Sequence, residues 1–462
     1  MQQAEQQFPV LVTGTKGTLG MFPNESALTM QRISKAVADQ MQKVSYCHSL
    51  FYATEATEDL ASLLIESTKG EMARAFIISS GSEAIEASLK MTRQYHLEKS
   101  PSEPSRTHII ARQQSYHGTT LGALAVGGHV ARRAIYQPML STNTSRVSPC
   151  YAYRGIKGVM DSEASYVQRL EEELEAEFQR VGPKNVAAFI AEPVVGAALG
   201  CVPPVNGYFA AMRRVCDRHG ALLIMDEIMS GCGRSGPEPS RRYPNPLHSW
   251  QDPLIGVAPD IMTMGKGLGG GYMPVAAMLA NHKVINALKG GTGAFSHGQT
   301  YQGHPVACRA GAEVQRVIRD EDLVANVRKQ GALLGKLLQQ KVATHWAVGD
   351  VRGKGLFWGI EFVSNKATKA PHKPHEAIAV GVHELAMQPP FNISLYPGTG
   401  TVDGKRGDHV LLAPAYNVTE EDVRYIVDTT AAAITRFFKL YSDRYLVKEA
   451  AEVEDDGIGD VA

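Results

Sequence analysis

Short apolar runs without polar alternation, set between stretches of helical periodicity, constrain this chain more than any other feature. The runs are Ala75-Phe-Ile-Ile78, His108-Ile-Ile110, Val186-Ala-Ala-Phe-Ile190, Ala221-Leu-Leu-Ile-Met225 and Pro274-Val-Ala-Ala277. A strand with one wet face alternates apolar and polar residues, whereas an unbroken run is buried on both faces. Helical patterns over 83–97, 162–180, 206–219 and 304–319 supply the covering layers. Together they predict an α/β domain around a largely parallel sheet. A further helical pattern spans 26–43 (Leu28, Ile33, Val37, Met41), and Thr57-Glu-Asp-Leu60 reads as a helix start.

At 462 residues the chain is too long for one ordinary core. Its final third differs in texture. A helix around 322–341 precedes Gly-rich strand signals in Val351–Phe362 and His409–Leu412, and a helix follows near 419–441. That pattern predicts a second, smaller α/β domain. From Glu449 to Ala462 the chain is acidic and lacks aromatics, so a disordered tail is expected there.

The 47 basic and 47 acidic residues balance, which argues against an electrostatic grip on nucleic acid or an anionic membrane. Six cysteines without a C-x-x-C pair argue against a disulfide framework and a structural zinc site. The N-terminus lacks the charged and apolar regions of a secretory signal, and no eighteen-residue apolar run occurs. The expectation is a cytoplasmic protein that handles small molecules and binds no metal.

Asp226 closes one apolar run, and Lys266 follows forty positions later among glycines, in Met264-Gly-Lys-Gly-Leu-Gly-Gly270. A free lysine amine, with a pKa of about 10.4, is mostly protonated at neutral pH and a poor nucleophile. An imine with an aldehyde cofactor, and an acid that keeps the cofactor ring protonated, overcome this. The pair therefore suits pyridoxal 5'-phosphate. Glu192, in Ala191-Glu-Pro193, stands at another strand's carboxyl end, the edge that carries the ligand crevice in open α/β sheets. Ser79-Ser-Gly-Ser82 opens a helix after a strand, where backbone N–H groups can hold a phosphate. Taken alone, that segment reads more simply as an N-cap with Glu83 in its first turn. Ser115-Tyr-His-Gly118 suits a ring stacked on a flat ligand, or simply a turn with a buried tyrosine. Gly265–Gly270 also fits G-x-G-x-x-G, but Tyr272-Met-Pro274 and a new apolar run follow where a dinucleotide fingerprint requires a helix.

In order and spacing these segments resemble the class III aminotransferases of PLP fold type I, over roughly residues 44–448. The resemblance implies a large domain (44–310) with a mostly parallel seven-stranded sheet and a small C-terminal domain (311–448). It also implies an N-terminal segment (1–43) packed with the small domain, and a homodimer with active sites at its interface. Carried over by motif, Lys266 would be the Schiff-base lysine and proton carrier, and Asp226 the partner of the pyridinium nitrogen. Ile228 would pack under the ring, Tyr116 would stack on it with His117 beside it, and Glu192 would lie near the substrate side. Gly81 and Ser82 would hold the phosphate, joined by Thr300 of the other subunit. The implied activity is ping-pong transfer of an amino group from an amine or ω-amino acid to a 2-oxoacid. An aminomutase, racemase or decarboxylase would share these residues, and a non-catalytic PLP-binding protein is a further alternative.

The departures bear on substrate. Gly14-Thr-Lys-Gly-Thr-Leu-Gly20 runs almost directly into the first helix, where relatives have a longer stretch. An enlarged loop, 237–247, carries Arg241 and Arg242. Arg406 lies nearest to where relatives place a carboxylate-binding arginine, with a solvated loop charge as its alternative.

Overall fold

The computed structural model describes residues 10–11, 27–158 and 160–455. The Gly14–Gly20 segment and residues 456–462 lie outside the described residues. In chain order the first strands are β1 (Val10–Leu11), β2 (Met72–Ile78), β3 (His108–Arg112) and β4 (Thr144–Val147). They continue with β5 (Val186–Ala191), β6 (Leu222–Asp226), β7 (Ile261–Met264) and β8 (Ala276–Asn281).

All but β1 form one sheet, in the order β2-β8-β7-β6-β5-β3-β4. Neighbours from β7 to β4 run parallel, and only β8 opposes the strands beside it. Since β8 is antiparallel to both β2 and β7, the strand β2 shares the common direction. The carboxyl ends of β2, β3, β5, β6 and β7 therefore meet at one edge. Every residue of β5 and β6 is buried, as runs without alternation require. Helices Gly81–Glu98, Glu163–Val181 and Tyr208–His219 are among those covering the faces.

A second, antiparallel sheet has the order β12-β13-β10-β9, from β9 (Val348–Gly353), β10 (Trp358–Phe362), β12 (Tyr396–Thr399) and β13 (Asp408–Leu412). The short β11 (Ile393–Ser394) pairs with β1. Around this sheet, helices Leu323–Lys341 and Ile378–Ala386 bury Leu334, Leu338 and Val382. Ile33, from helix Ala27–Lys43, joins the same core.

Polar clamps fix the second sheet against the first. Arg352 of β9 donates to the Gly200 carbonyl (3.0 Å) and to Glu361 of β10 (2.7 Å). Glu361 also takes Arg154 Nε at 2.8 Å and the Tyr151 hydroxyl. Arg234 donates to the Leu356 and Pro414 carbonyls, with its guanidinium 4.4 Å from the Tyr416 ring centroid. Buried charges with this many partners fix orientation more than they add net stability.

Two details depart from the sequence expectation. The helix expected to start at Thr57 begins at Glu55, because Thr54 Oγ1 caps it by accepting from Thr57 N–H, while the Thr57 hydroxyl donates to the Gly303 carbonyl (2.8 Å). The last helix runs from Glu420 to Asp455, past the Glu449 at which a disordered tail was expected to begin. The stretch after Glu449 is rich in alanine and glutamate, with no glycine or proline before Gly457, so local propensity carries the helix on.

Gly359 of β10 tests the contact between the sheets, because a methyl group there would collide with the Gly200 carbonyl. Gly359→Ala should cost about 1–3 kcal/mol and lower the unfolding midpoint in scanning calorimetry. At Gly290 an added methyl meets nothing within 4 Å, so Gly290→Ala should leave the midpoint in place.

Candidate active site

The carboxyl edge of the large sheet gathers side chains from five separate segments. After β2, Ser80 caps helix Gly81–Glu98: its Oγ accepts from Glu83 N–H, while Glu83 accepts from the backbone of Ser79 (3.0 Å) and Ser80 (2.9 Å). The cap reading of this segment is therefore realised by Ser80 and Glu83. Gly81 and Ser82, in the first turn, keep N–H groups without intrahelical acceptors. Gly81 packs so closely on Ile228 that a Cβ would lie 2.9 Å from its side chain.

After β3, the Tyr116-His117-Gly118 turn folds back over this helix start. Ser82 Oγ accepts from Thr119 N–H at 3.0 Å, and Gly118 takes a φ of +134°. Tyr116 N–H donates to Glu192 Oε1 (3.1 Å), whose second oxygen accepts from Gly196 N–H (3.0 Å). The Glu192 carbonyl accepts from Arg112 at 2.6 Å. Burial pushes the Glu192 carboxyl above its usual range, with His117 and Arg112 opposing that rise.

His117 Nδ1 lies 2.8 Å from Asp226 Oδ2, with both residues buried. The other carboxylate oxygen accepts from Ile228 N–H and Thr263 Oγ1, each at 3.1 Å. His117 Nε2 is buried without a hydrogen-bond partner. The neighbouring acid, Glu227, faces a different task. It accepts from Ser249 (2.9 Å) and Trp250 (2.8 Å) N–H groups in the loop beyond β6, and burial pushes its carboxyl up to about 8.

Lys266 starts a single 3-10 turn after β7 with φ +42°, a left-handed conformation uncommon outside glycine. Its side chain keeps some surface open to the cleft, yet protein surrounds most of it. Burial lowers its pKa from the ordinary lysine value; Asp226 and Glu192 oppose that shift and Arg132 reinforces it. An amine of lowered pKa beside two acids can act as nucleophile and proton carrier.

The structure thus brings together Lys266, Asp226, Glu192, His117, Tyr116, Gly81, Ser82 and Ile228. Two residues stand apart. Thr300 is exposed, and its backbone carbonyl accepts from the Tyr46 hydroxyl at 3.2 Å. Arg406 closes the turn between β12 and β13, with Nε on Asp403 Oδ2 at 2.7 Å and more than half its side chain exposed. Arg406 is thereby held within its own turn. Asp403, three residues earlier, takes both its backbone N–H and its guanidinium, which makes it a turn charge.

Three residues at this site carried no legible signal. Thr263 sits in a strand too short and methionine-rich to announce itself. Tyr396 lies close enough for its charge to act on the Tyr116 hydroxyl. Arg132 has its guanidinium 4.8 Å from the Tyr116 ring centroid and belongs to a four-residue helix, Val130–Arg133.

Comparison with known proteins gives a consistent result. The sequence model described as "Aminotransferase class-III" matches residues 29–434. An aminotransferase of Gibberella zeae is 50% identical over 405 residues, covering 87% of this chain and 77% of that protein. An uncharacterized aminotransferase of Schizosaccharomyces pombe is 42% identical, covering 88% of this chain and 85% of the other. An amine transaminase from an uncultivated Pseudomonas species, solved in a PLP-bound form, superposes with a TM-score of 0.79 at 32% identity. That match covers 89% of this chain and 87% of the other.

Gly118 holds the turn against the helix start, and a methyl there would lie 2.6 Å from Ser82 Oγ and 3.0 Å from Ser82 Cα. Gly118→Ala should lose about 2 kcal/mol or more from strain and clash, read as a lower denaturant midpoint with an unchanged m-value.

Proposed function

This chain belongs to the class-III aminotransferases, and from that premise we propose that it passes an amino group from an amine or ω-amino acid to a 2-oxoacid using pyridoxal 5'-phosphate. Its fold is that of the PLP fold type I transaminases. The observation that carries the reading is the meeting of Lys266, the Asp226–His117 pair and Glu192 on one sheet edge, beside the open start of an 18-residue helix.

The residues fit such a cofactor on three counts. The first-turn N–H groups of Gly81 and Ser82 suit a phosphate, since they offer donors at the positive end of a helix dipole. Gly81 lacks the Cβ that would displace Ile228, so Ile228 would stay beside the helix start as an apolar support for a flat ring. The buried, unpartnered His117 Nε2 marks a polar place beside the Asp226 carboxylate. When bound, pyridoxal phosphate supplies an aldehyde that condenses with amines and a protonated ring that withdraws electrons.

The chain's own groups divide the remaining work. Lys266 Nζ would attach the cofactor and carry a proton at the reacting carbon, and its lowered pKa increases the share of neutral amine. Asp226 would hold the ring nitrogen's proton, while His117, Ile228 N–H and Thr263 fix the carboxylate's direction. Tyr116 would stack on the ring, and Glu192 fixes Tyr116 through its backbone N–H. Donor and acceptor occupy the same place in turn, so one set of contacts serves both halves of the exchange.

A homodimer is part of this reading. Leu50, Phe51 and Tyr52 are 73, 71 and 69% exposed, and Tyr46 and Tyr301 meet edge to face in the open beside Thr300. A single chain leaves that apolar surface in water, whereas a second copy would cover it and bring Thr300 to the neighbouring phosphate.

Lys266→Ala should abolish turnover and the cofactor's near-visible absorbance band, whereas the wild-type band should vanish on adding donor and return with a 2-oxoacid. Full turnover by Lys266→Ala would refute the assignment. Asp226→Asn should lower the rate by about 100-fold or more, the scale of removing one preorganised electrostatic partner. Light scattering should give a dimer, and Thr300→Ala should lose cofactor faster on dialysis than the wild type.

A further inference from the structure

Arg132 is the charge that the mechanism above leaves unused. It is exposed and stands over the Tyr116 ring, with no carboxylate within ion-pair distance among the described residues. The other arginines around this cleft are committed. Arg112 donates to the Glu192 carbonyl, Arg406 to Asp403, and Arg146 to the Gly127 carbonyl at 2.8 Å. Arg133 donates to the carbonyls of Leu124, Ala125 and Gly127 at 2.8, 2.6 and 2.7 Å.

The commitment of Arg133 gives Arg132 its direction. Successive helical residues point about 100° apart, so burying Arg133 in the corner before helix Val130–Arg133 turns Arg132 elsewhere. The Arg406 turn braces the same helix from the other side. Gly404 packs directly on Val130, and Gln114 Nε2 donates to the carbonyls of Gly400 (3.0 Å) and Thr401 (2.9 Å). A contact with an aromatic face holds a guanidinium in place without neutralising it, so its N–H edge stays available to a ligand. Arg132 is also close enough to act on Lys266 and on the Tyr116 hydroxyl.

We propose that Arg132 is the specificity residue that binds the carboxylate of the amino acid and oxoacid partners of this enzyme. A planar guanidinium matches a carboxylate with two parallel hydrogen bonds. Arg132 therefore takes the role for which the family resemblance pointed to Arg406, and it favours substrates whose carboxylate lies at its guanidinium while their amine or carbonyl lies at Lys266. This rests on the aminotransferase reading.

Two variants of the holoenzyme separate charge from packing. Arg132→Met keeps an apolar stem over Tyr116, and Arg132→Lys keeps the charge. Calorimetric titration with the unreactive carboxylates propionate and succinate should show binding to the wild type, weaker by about 10–100-fold in Arg132→Met and partly restored in Arg132→Lys. In the second half-reaction, Arg132→Met should slow pyruvate at least 10 times more than acetaldehyde, in which hydrogen replaces the carboxylate. Equal losses for both would make Arg132 a packing residue and overturn the proposal. So would a wild type that binds neither carboxylate, or variants that bind both as the wild type does. A wild type that binds carboxylates through Arg132 but transfers no amine would leave this assignment standing and overturn the activity instead.

Discussion

A carboxylate with 4% of its surface exposed must be partnered to stay charged, and much of this site follows from how Asp226 is partnered. One oxygen faces His117 Nδ1, and the other takes the Ile228 N–H and the Thr263 hydroxyl. Those partners come from three segments: the turn after β3, the loop after β6, and β7 itself. The acid can therefore hold its direction only if those strands share one carboxyl edge. The parallel run from β7 to β3 provides that edge, and the opposed β8 keeps the connection to β2 on the same sheet. Glu192 repeats the arrangement one strand away, its carboxylate spent on two backbone N–H groups, so the turn carrying Tyr116 and His117 is pinned by two acids at once.

The second sheet acts on this edge from a distance. Arg352 and Arg234 reach from it, or toward it, into the loops after β5 and β6, and each binds backbone carbonyls as well as charged or aromatic groups. Backbone acceptors make these clamps insensitive to which side chains line the site. They place β12 and β13, with Tyr396 and the Arg406 turn, beside Tyr116 and helix Val130–Arg133. The sheet edge supplies chemistry, and the clamped hairpin closes the space outside it.

The sequence was most legible where burial alone decides structure. The runs at 75–78, 186–190 and 221–225 became β2, β5 and β6 with boundaries shifted by three residues or fewer; β5 and β6 are buried throughout in mid-sheet, whereas β2 is an edge strand with Arg74 exposed. It was opaque where other demands intrude. β4 is an edge strand whose Thr144, Ser145 and Arg146 are only half-buried, so it lacks an apolar run. β7 lies mid-sheet, but its Thr263 breaks the apolar pattern at 0% exposure to bond Asp226, a buried polar residue that the site requires. Asp226 and Glu192 could be singled out because each follows or closes an apolar run, and Lys266 because it stands among glycines. Arg132 could not, since a four-residue helix has no periodicity and the nearest motif, at Tyr116, lies sixteen positions away.

Lys266 shows why the chemistry and the selectivity have different sequence signatures. Three charges and one solvent effect act on its amine: burial and Arg132 favour the neutral form, and Asp226 and Glu192 favour the ammonium. The two acids are fixed by the sheet and by backbone N–H groups, so their contribution is the same whatever substrate arrives. Arg132 is held by a ring face and a short helix, and a carboxylate bound there would cancel much of its charge. The amine would then respond to the ligand through the one unneutralised group, while the acids keep its range constant. A site arranged this way can alter its substrate by rebuilding the segment from 127 to 140 without disturbing the strand ends. Strand ends are where burial makes a sequence readable, and short surface segments are where it does not.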